Sequence, residues 1–285
     1  MKMKSANKEI VIGFLNRENV ERYDFKLEND CLSDIENNLE RMLVFKRKST
    51  KVPDPDASEL TMSIMCFLLE MQGYRVLGYE GRHIYLDNNM IVETDTANSF
   101  ITLYKGALMR YVPNYLELCN ELEINGGFMQ EYEKIFENRD KFSLKKNNDK
   151  LLKEFEEFAG LTHAIGNFII GPKGFNAADR KSKARLFSSR SWTTFDRVDL
   201  FLRKVAEGNT YKEWEQWFQK NICRTYLHCY YKDIVFLDKQ TVDLKKSILN
   251  DLGSDDFIFR ISLINKLIIS RGAQMISDLK TFLNE

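Results

Sequence analysis

The chain has 285 residues, and its 42 Lys and Arg are balanced by 42 Asp and Glu, so no global field draws it to nucleic acid or to a membrane. A chain of this length buries roughly three quarters of its unfolded surface. Apolar residues at 44%, including 20 Phe, 12 Tyr and 3 Trp, supply the core and exclude disorder over most of the chain. No apolar run reaches the ~20 residues that span a bilayer. Residues 1–9 are polar and lead only into Ile10-Val11-Ile12, without the apolar length of a secretory signal. Five scattered cysteines (Cys31, Cys66, Cys119, Cys223 and Cys229) form no CxxC pair and read as reduced thiols of a cytoplasmic protein.

Helix signals dominate from the start. Ser33-Asp34-Ile35-Glu36 has the pattern of a capping box, with Ile35, Leu39, Met42 and Leu43 as the apolar stripe behind it. A basic, turn-prone link follows from Lys46 to Pro55. Ser58 is placed to cap a helix carrying Leu60, Ile64, Met65, Phe67, Leu68 and Met71, which Gly73 stops. Apolar on several sides, that helix is expected to be central. Three short β-prone runs come next: Tyr74–Leu77, His83–Leu86 and Met90–Glu93. Turn residues at Glu80-Gly81 and Asp87-Asn88-Asn89 separate them, which predicts an antiparallel meander.

Asp95 or Thr96 is positioned to cap a further helix bearing Phe100, Leu103, Tyr104, Leu108 and Tyr111, ended by Pro113. Shorter helices are expected over 114–123, 127–138 and 148–159, the last stopped by Gly160. The polar stretch 138–150 is expected to be a flexible link. Phe195, Val198, Leu202 and Val205 predict a helix ended by Gly208. Thr210-Tyr211-Lys212-Glu213 predicts another, with Trp214, Trp217 and Phe218. Phe257, Ile261, Ile264, Ile268, Met275, Leu279 and Phe282 recur at helical spacing and mark the clearest helix of the chain. The expected fold is α+β, mainly α-helical, with a small antiparallel sheet, in a single domain over residues 1–285.

The stretch from Thr162 to Asn176 stands apart, with His163, Asn167 and Asn176, three glycines and Pro172 around a short apolar core. Gly166, Gly171 and Gly174 permit backbone conformations closed to other residues, Asn side chains bridge turns, and Pro172 stiffens the bend. A structural loop is therefore one reading. From Lys173 to Arg190 the segment carries Lys173, Arg180, Lys181, Lys183, Arg185 and Arg190 against only Asp179. Such a run suits phosphate oxygens, with Arg as a bidentate fork, although a solvated or partner-binding face carries the same signature.

The Asn167 to Asn176 separation resembles the second half of an HNH-type nuclease motif, in which an upstream histidine activates water beside a metal. The resemblance stops halfway, because no histidine lies between His83 and His163. Asp54 and Asp56 flank Pro55 at a helix start, and Asp95 lies where strand gives way to helix. These acids are weak candidates for a divalent cation or for acid–base work, and capping explains them as well. Cys223, His228 and Cys229 lack a fourth zinc ligand and match no common zinc spacing. The sequence has no GxSxG, no P-loop and no dinucleotide fingerprint.

Taken in order, Asp54-Pro55-Asp56-Ala57-Ser58, Asp95-Thr96-Ala97-Asn98-Ser99-Phe100, His163-Ala164-Ile165-Gly166-Asn167-Phe168 and Pro172-Lys173-Gly174-Phe175-Asn176 resemble an uncharacterised family of bacterial proteins. The resemblance continues through Asp196–Leu200, Ile264-Asn265 and Arg271. After Ser58 the family pattern turns aromatic and Trp-rich, whereas this chain has Met62 to Met71. The resemblance implies a bacterial, cytosolic protein and supplies no reaction; by association it implies defence against phage or mobile elements. The leading expectation is binding of a phosphate-rich ligand, nucleic acid or nucleotide, through Lys173, Arg180, Lys181, Lys183 and Arg185, in a site shaped by His163, Asn167 and Asn176. No cofactor is predicted, with a divalent metal as an option. The alternatives are a divergent HNH-like phosphodiesterase using His163, Asn176 and the acids, or an interaction module whose partner is another protein or a second copy.

Overall fold

Helix α1 (Lys8–Leu15) begins where the Asn7 side chain accepts hydrogen bonds from the backbone N–H groups of Glu9 and Ile10, and it buries Val11, Phe14 and Leu15. The computed structural model describes residues 3–48, 54–96, 98, 100–124, 128–142, 144, 149–173 and 254–284. Two 3₁₀ turns, Val20–Arg22 and Phe25–Glu28, lead into the single turn of α2 (Asp30–Ser33) and then into α3 (Asn38–Lys48).

The expected capping box at Ser33–Glu36 does not start a helix; α2 ends at Ser33. The start of α3 is fixed instead by Asn37, whose side chain accepts from Glu40 N at 2.8 Å. The Glu156 carboxylate, distant in sequence, accepts from Asn38 N and Leu39 N at 2.5 and 3.0 Å. A negative group at a helix N-terminus satisfies otherwise orphaned N–H groups and opposes the helix dipole. Tertiary contact thus overrides the local signal.

Ser58 caps α4 (Glu59–Met71) as expected, its Oγ accepting from Thr61 N at 3.1 Å. Leu60 through Cys66, with Leu68 and Leu69, are buried, so this helix is the central rod. Burial and the nearby Glu70 push the Cys66 thiol up to about 12, which leaves it a packed apolar group rather than a nucleophile. Gln72 ends the helix, and Gly73 turns the chain at φ +83.

The meander forms from β1 (Val76–Glu80), β2 (His83–Leu86) and β3 (Ile91–Thr96). A fourth strand, β4 (Phe168–Pro172), adds antiparallel to β3, giving the order β1-β2-β3-β4. Ile84, Leu86, Val92, Thr94 and Ile170 are buried, whereas His83, Tyr85 and Glu93 alternate with them and are half-buried. On the free side of β1, Lys4 exchanges hydrogen bonds with Tyr79 at 2.9 Å. A β-carbon on Gly78 (φ +143) would lie 2.7 Å from Lys4 O, so only glycine admits that close pairing.

Asp95 and Thr96 belong to β3 rather than to a helix cap, because the sheet continues to the Thr96–Phe168 pair. Helix α5 (Phe100–Tyr111) therefore starts later than the capping pattern indicates. Its Phe100, Leu103, Tyr104 and Leu108 are buried. Then follow α6 (Tyr115–Glu121), α7 (Phe128–Glu137) and α8 (Asp149–Leu161); the last runs through Gly160 instead of stopping there. In the stretch expected to be a link, Phe142 is fully buried edge-on to Tyr115, 5.8 Å between ring centroids, and Leu144 is buried. The expected helices at 195–208 and 210–218 lie outside the described residues. The last helix, α9 (Ser254–Asn284), buries Phe257, Ile261, Ile264, Ile268, Met275 and Leu279. Among the described residues no helix is long and apolar enough to cross a membrane.

Helix α9 crosses the short turn Ile165–Asn167 at glycine-to-glycine distance. A β-carbon on Gly166 would sit 1.8 Å from Ile268 O, and one on Gly272 would sit 3.3 Å from Gly166 N. Arg271, itself buried, donates from Nη1 to Gly166 O at 2.5 Å. The helix and the turn therefore meet backbone to backbone. Gly166→Ala is expected to lower the free energy of unfolding by roughly 3 kcal/mol, the upper end for overpacking, in urea denaturation. An unchanged midpoint and slope would mean that the crossing is looser than described.

Candidate functional site

The loop that the sequence singles out is part of the interior. Helix α8 ends with Thr162 Oγ1 donating to Phe158 O at 2.8 Å, and the chain then turns through His163 and Ala164. Asn167 is fully buried and forms a reciprocal pair with Asn98. Its Oδ1 accepts from both the Asn98 backbone N–H and Nδ2 at 3.0 Å. Its Nδ2 donates to Asn98 O at 3.1 Å and to Thr162 O at 2.7 Å. All the groups of this amide are engaged, which is how a buried polar side chain becomes tolerable. Asn167 thereby staples the β3–α5 connection to the loop. It faces no solvent.

His163 lies among charges that the sequence did not flag. Asp24, Lys26 and Arg41 are all buried. Asp24 Oδ1 caps its own 3₁₀ turn by accepting from Lys26 N at 3.0 Å and pairs with Lys26 Nζ at 2.8 Å. Its Oδ2 takes Arg41 Nη1 at 3.3 Å. Lys26 Nζ also donates to Ala159 O at 3.1 Å and reaches His163 Nδ1 at 3.5 Å, so its three protons are accounted for. Arg41 spends its remaining donors on Leu32 O, Ile35 O, Glu36 O and Asn38 Oδ1. Satisfied donors and a shared carboxylate are what keep so many charges buried.

Burial lowers the Lys26 ammonium from its ordinary range, partly countered by Asp24. Burial, reinforced by Lys26 and Lys46, drives the His163 imidazole well below 6.5. His163 is therefore neutral, and an ammonium has only protons to offer, so Nδ1 is the acceptor and Nε2 carries the proton. The ring sits edge-on to Phe45 at 5.0 Å between centroids, and the His163 carbonyl accepts from Phe25 N at 3.1 Å. Of the three residues expected to shape a ligand site, His163 and Asn167 build the core, and Asn176 lies outside the described residues.

The acids behave differently. Arg82, in the β1–β2 turn, donates from Nη2 to Asp54 Oδ2 at 3.0 Å and to both carboxylate oxygens of Asp56 at 3.1 Å. Asp56 is buried, its carbonyl accepts from Thr94 Oγ1 at 2.6 Å, and Thr61 Oγ1 donates to Pro55 O at 2.7 Å. Burial and then the neighbouring Asp54 raise the Asp56 carboxyl well above the usual carboxylate range, against the pull of Arg82. Asp95 contributes to the same field, and its Oδ1 accepts from Thr96 N at 2.7 Å. Two of the three acids that the sequence named as metal candidates, Asp54 and Asp56, thus share one guanidinium, and Asp95 adds negative charge to its field. Among the described residues no group of three or more His, Cys, Asp and Glu side chains is arranged to hold a metal ion. Arg82 was missed because a lone arginine in a hairpin turn carries no spacing signal; Asp24, Lys26 and Arg41 were missed because pairing across sequence is invisible to periodicity.

A cleft of about 140 Å³ opens between Phe25, Glu28 and Leu32 on one side and Asp54, Pro55 and Ser58 on the other. It falls well below the ~300–1,000 Å³ of small-molecule sites and is not sized for a nucleotide. Lys173 stands at the opposite extreme from His163: it is exposed, and its N–H donates to Ile91 O at 2.9 Å just past the end of β4. Arg180, Lys181, Lys183 and Arg185, like Cys223, His228 and Cys229, lie outside the described residues.

The short motifs named from the sequence meet through these contacts. Asp56 joins Thr94 on β3, Asn98 joins Asn167, and Arg271 joins Gly166. Asn265 donates from Nδ2 to Glu154 O at 3.0 Å on α8. No family model, curated protein or solved structure matches the chain significantly.

A buried histidine held neutral makes stability depend on pH with a definite sign. The unfolded imidazole takes up a proton below about 6.5 and the folded one resists, so stability is complete above that value and falls on acidification. Between pH 6.5 and 5.5 the loss from this group is up to about 1.4 kcal/mol. His163→Gln, which keeps an acceptor for Lys26, is expected to lack that increment when unfolding free energies at pH 7.5 and 5.5 are compared. Equal pH dependence in both proteins would place a proton on the folded imidazole.

Proposed function

We propose that the protein binds a phosphate-rich ligand, a nucleic acid foremost, through Lys173 and the basic run Arg180, Lys181, Lys183 and Arg185. The observation that carries this reading is the mounting of Lys173. It follows β4, the outermost strand among the described residues and paired along its length with β3, and the turn before that strand is tied down by Asn167, His163 and the α9 crossing. A cation on a rigid support loses less freedom on binding than one on a free loop. With balanced total charge, attraction to phosphate has to be local, and the run from Lys173 to Arg190, with Asp179 its one acid, is such a local excess.

A metal-dependent phosphodiesterase is less well supported. His163 is buried against Lys26, and Asp54 and Asp56 already hold Arg82. A cytoplasmic setting and a role in defence against phage or mobile elements belong to the same proposal through the family resemblance.

The test is a salt titration of binding to a labelled single-stranded oligonucleotide. Replacing Lys173, Arg180, Lys181, Lys183 and Arg185 by Gln is expected to reduce the slope of log affinity against log salt by about 0.7 per lost phosphate contact. Affinity indifferent to salt, or identical in the substituted protein, overturns the proposal.

A further inference from the structure

The end of α3 carries a second concentration of positive charge that the reading above does not use. Lys46, Arg47, Lys48 and Lys51 follow one another with no acid until Asp54. Arg47 is exposed, and its guanidinium carbon lies 5.0 Å from the centre of the Phe136 ring on α7. Arg139, also exposed and just beyond α7, places its guanidinium carbon 4.8 Å from the centre of the same ring. Phe136 is buried, so one aromatic ring meets two cations, Arg47 from the end of α3 and Arg139 from the turn after α7. A guanidinium held on an aromatic ring keeps its N–H edges available. Arg139 Nη1 makes only a long 3.4 Å contact to Phe136 O. No described carboxylate pairs with either guanidinium. Exposed Glu133, Glu137 and Asp140 share the α7 stretch and leave both unpaired.

Two guanidiniums share one ring and neither meets a described carboxylate, so two planar forks are available to oxyanions. We propose that Arg47 and Arg139, mounted on Phe136, form a phosphate clamp that grips the backbone of a nucleic acid. The clamp requires that the chain bind nucleic acid, as proposed above, but through different residues. A polymer backbone fits better than an isolated anion because two separately mounted forks call for two oxyanions on one ligand.

The experiment uses the full chain and a fluorescein-labelled single-stranded DNA of mixed sequence, with polyglutamate as competitor. Three proteins join the wild type: Arg47→Gln with Arg139→Gln, Arg47→Lys with Arg139→Lys, and the five-fold Gln variant of the basic run. The Gln pair is expected to lower the salt slope by about 1.4, two single-strand contacts, and the Lys pair to restore most of it at reduced affinity. If the Gln pair fails to fold, as judged by its melting curve, the Lys pair decides: weaker binding at near-wild-type slope supports the clamp, and wild-type affinity overturns it. Unchanged slope and affinity in a folded Gln pair, with loss in the five-fold variant, overturns the clamp and leaves the earlier reading standing. Loss in the Gln pair with none in the five-fold variant supports the clamp and overturns the earlier site. Polyglutamate displacing the DNA at equal charge concentration overturns the clamp in favour of an acidic protein partner. A wild type that binds no DNA overturns both.

Discussion

The backbone of Gly166 lies against Ile268 O and Gly272 N so closely that a β-carbon there would fall 1.8 Å from the carbonyl oxygen. Much of the described structure is arranged to permit that approach. Helix α9 needs Gly272 at the crossing, Arg271 closes it by donating to Gly166 O, and the turn that carries Gly166 is held from the other side by Asn167. Because Asn167 also holds Asn98, the crossing fixes the direction in which β3 passes into α5. Strand β4 leaves the same turn and completes the sheet. One packing constraint therefore links the long last helix, the sheet and the departure point of the basic run.

Around this crossing the interior is unusually rich in charge. Asp24 between Lys26 and Arg41 contributes little net stability compared with well-packed apolar residues, because desolvation offsets the attraction. Its role is better described as registration. Lys26 ties the 3₁₀ turn at Phe25–Glu28 to the end of α8 through Ala159 O, and Arg41 ties α3 to the preceding loop carbonyls. Misplacing either segment would strand a buried charge, so alternatives to this packing are penalised more heavily than the native packing is rewarded. The same logic applies at Arg82, which binds the Asp54–Asp56 turn to the meander.

The sequence was most legible where a property is local and periodic. Ser58 capping a many-sided apolar helix, the three runs of the meander, and the spacing from Phe257 to Leu279 all found their elements. It was least legible where a distant group decides. Glu156 rather than the Ser33–Glu36 pattern starts α3. Pairing with Phe168 and Ile169 keeps Asp95 and Thr96 in a strand. A run as short as Phe168–Ile170 before a Gly-Pro step looks like loop until a neighbouring strand is known. For the site, the mixture of His, Asn and Gly over 162–176 reads as one bend, whereas Phe168–Pro172 is a strand and neither Gly166 nor Gly171 takes a positive φ. Its direction was not readable, because the same polar residues line a solvent pocket or satisfy one another in the core, and composition does not distinguish the two. His163 and Asn167 took the second course.

The central claim is that the bend at 162–168 is part of the core and forms the stiff base from which the basic run departs. Hydrogen–deuterium exchange resolved to single amides tests it most directly. The Phe25 amide, bonded to His163 O, and the Asn98 amide, bonded to Asn167 Oδ1, are expected to exchange only by the large-scale opening that also frees the buried middle of α9. Exchange of these two amides at rates typical of surface loops, while α9 remains protected, would show that the bend opens independently and would contradict the account.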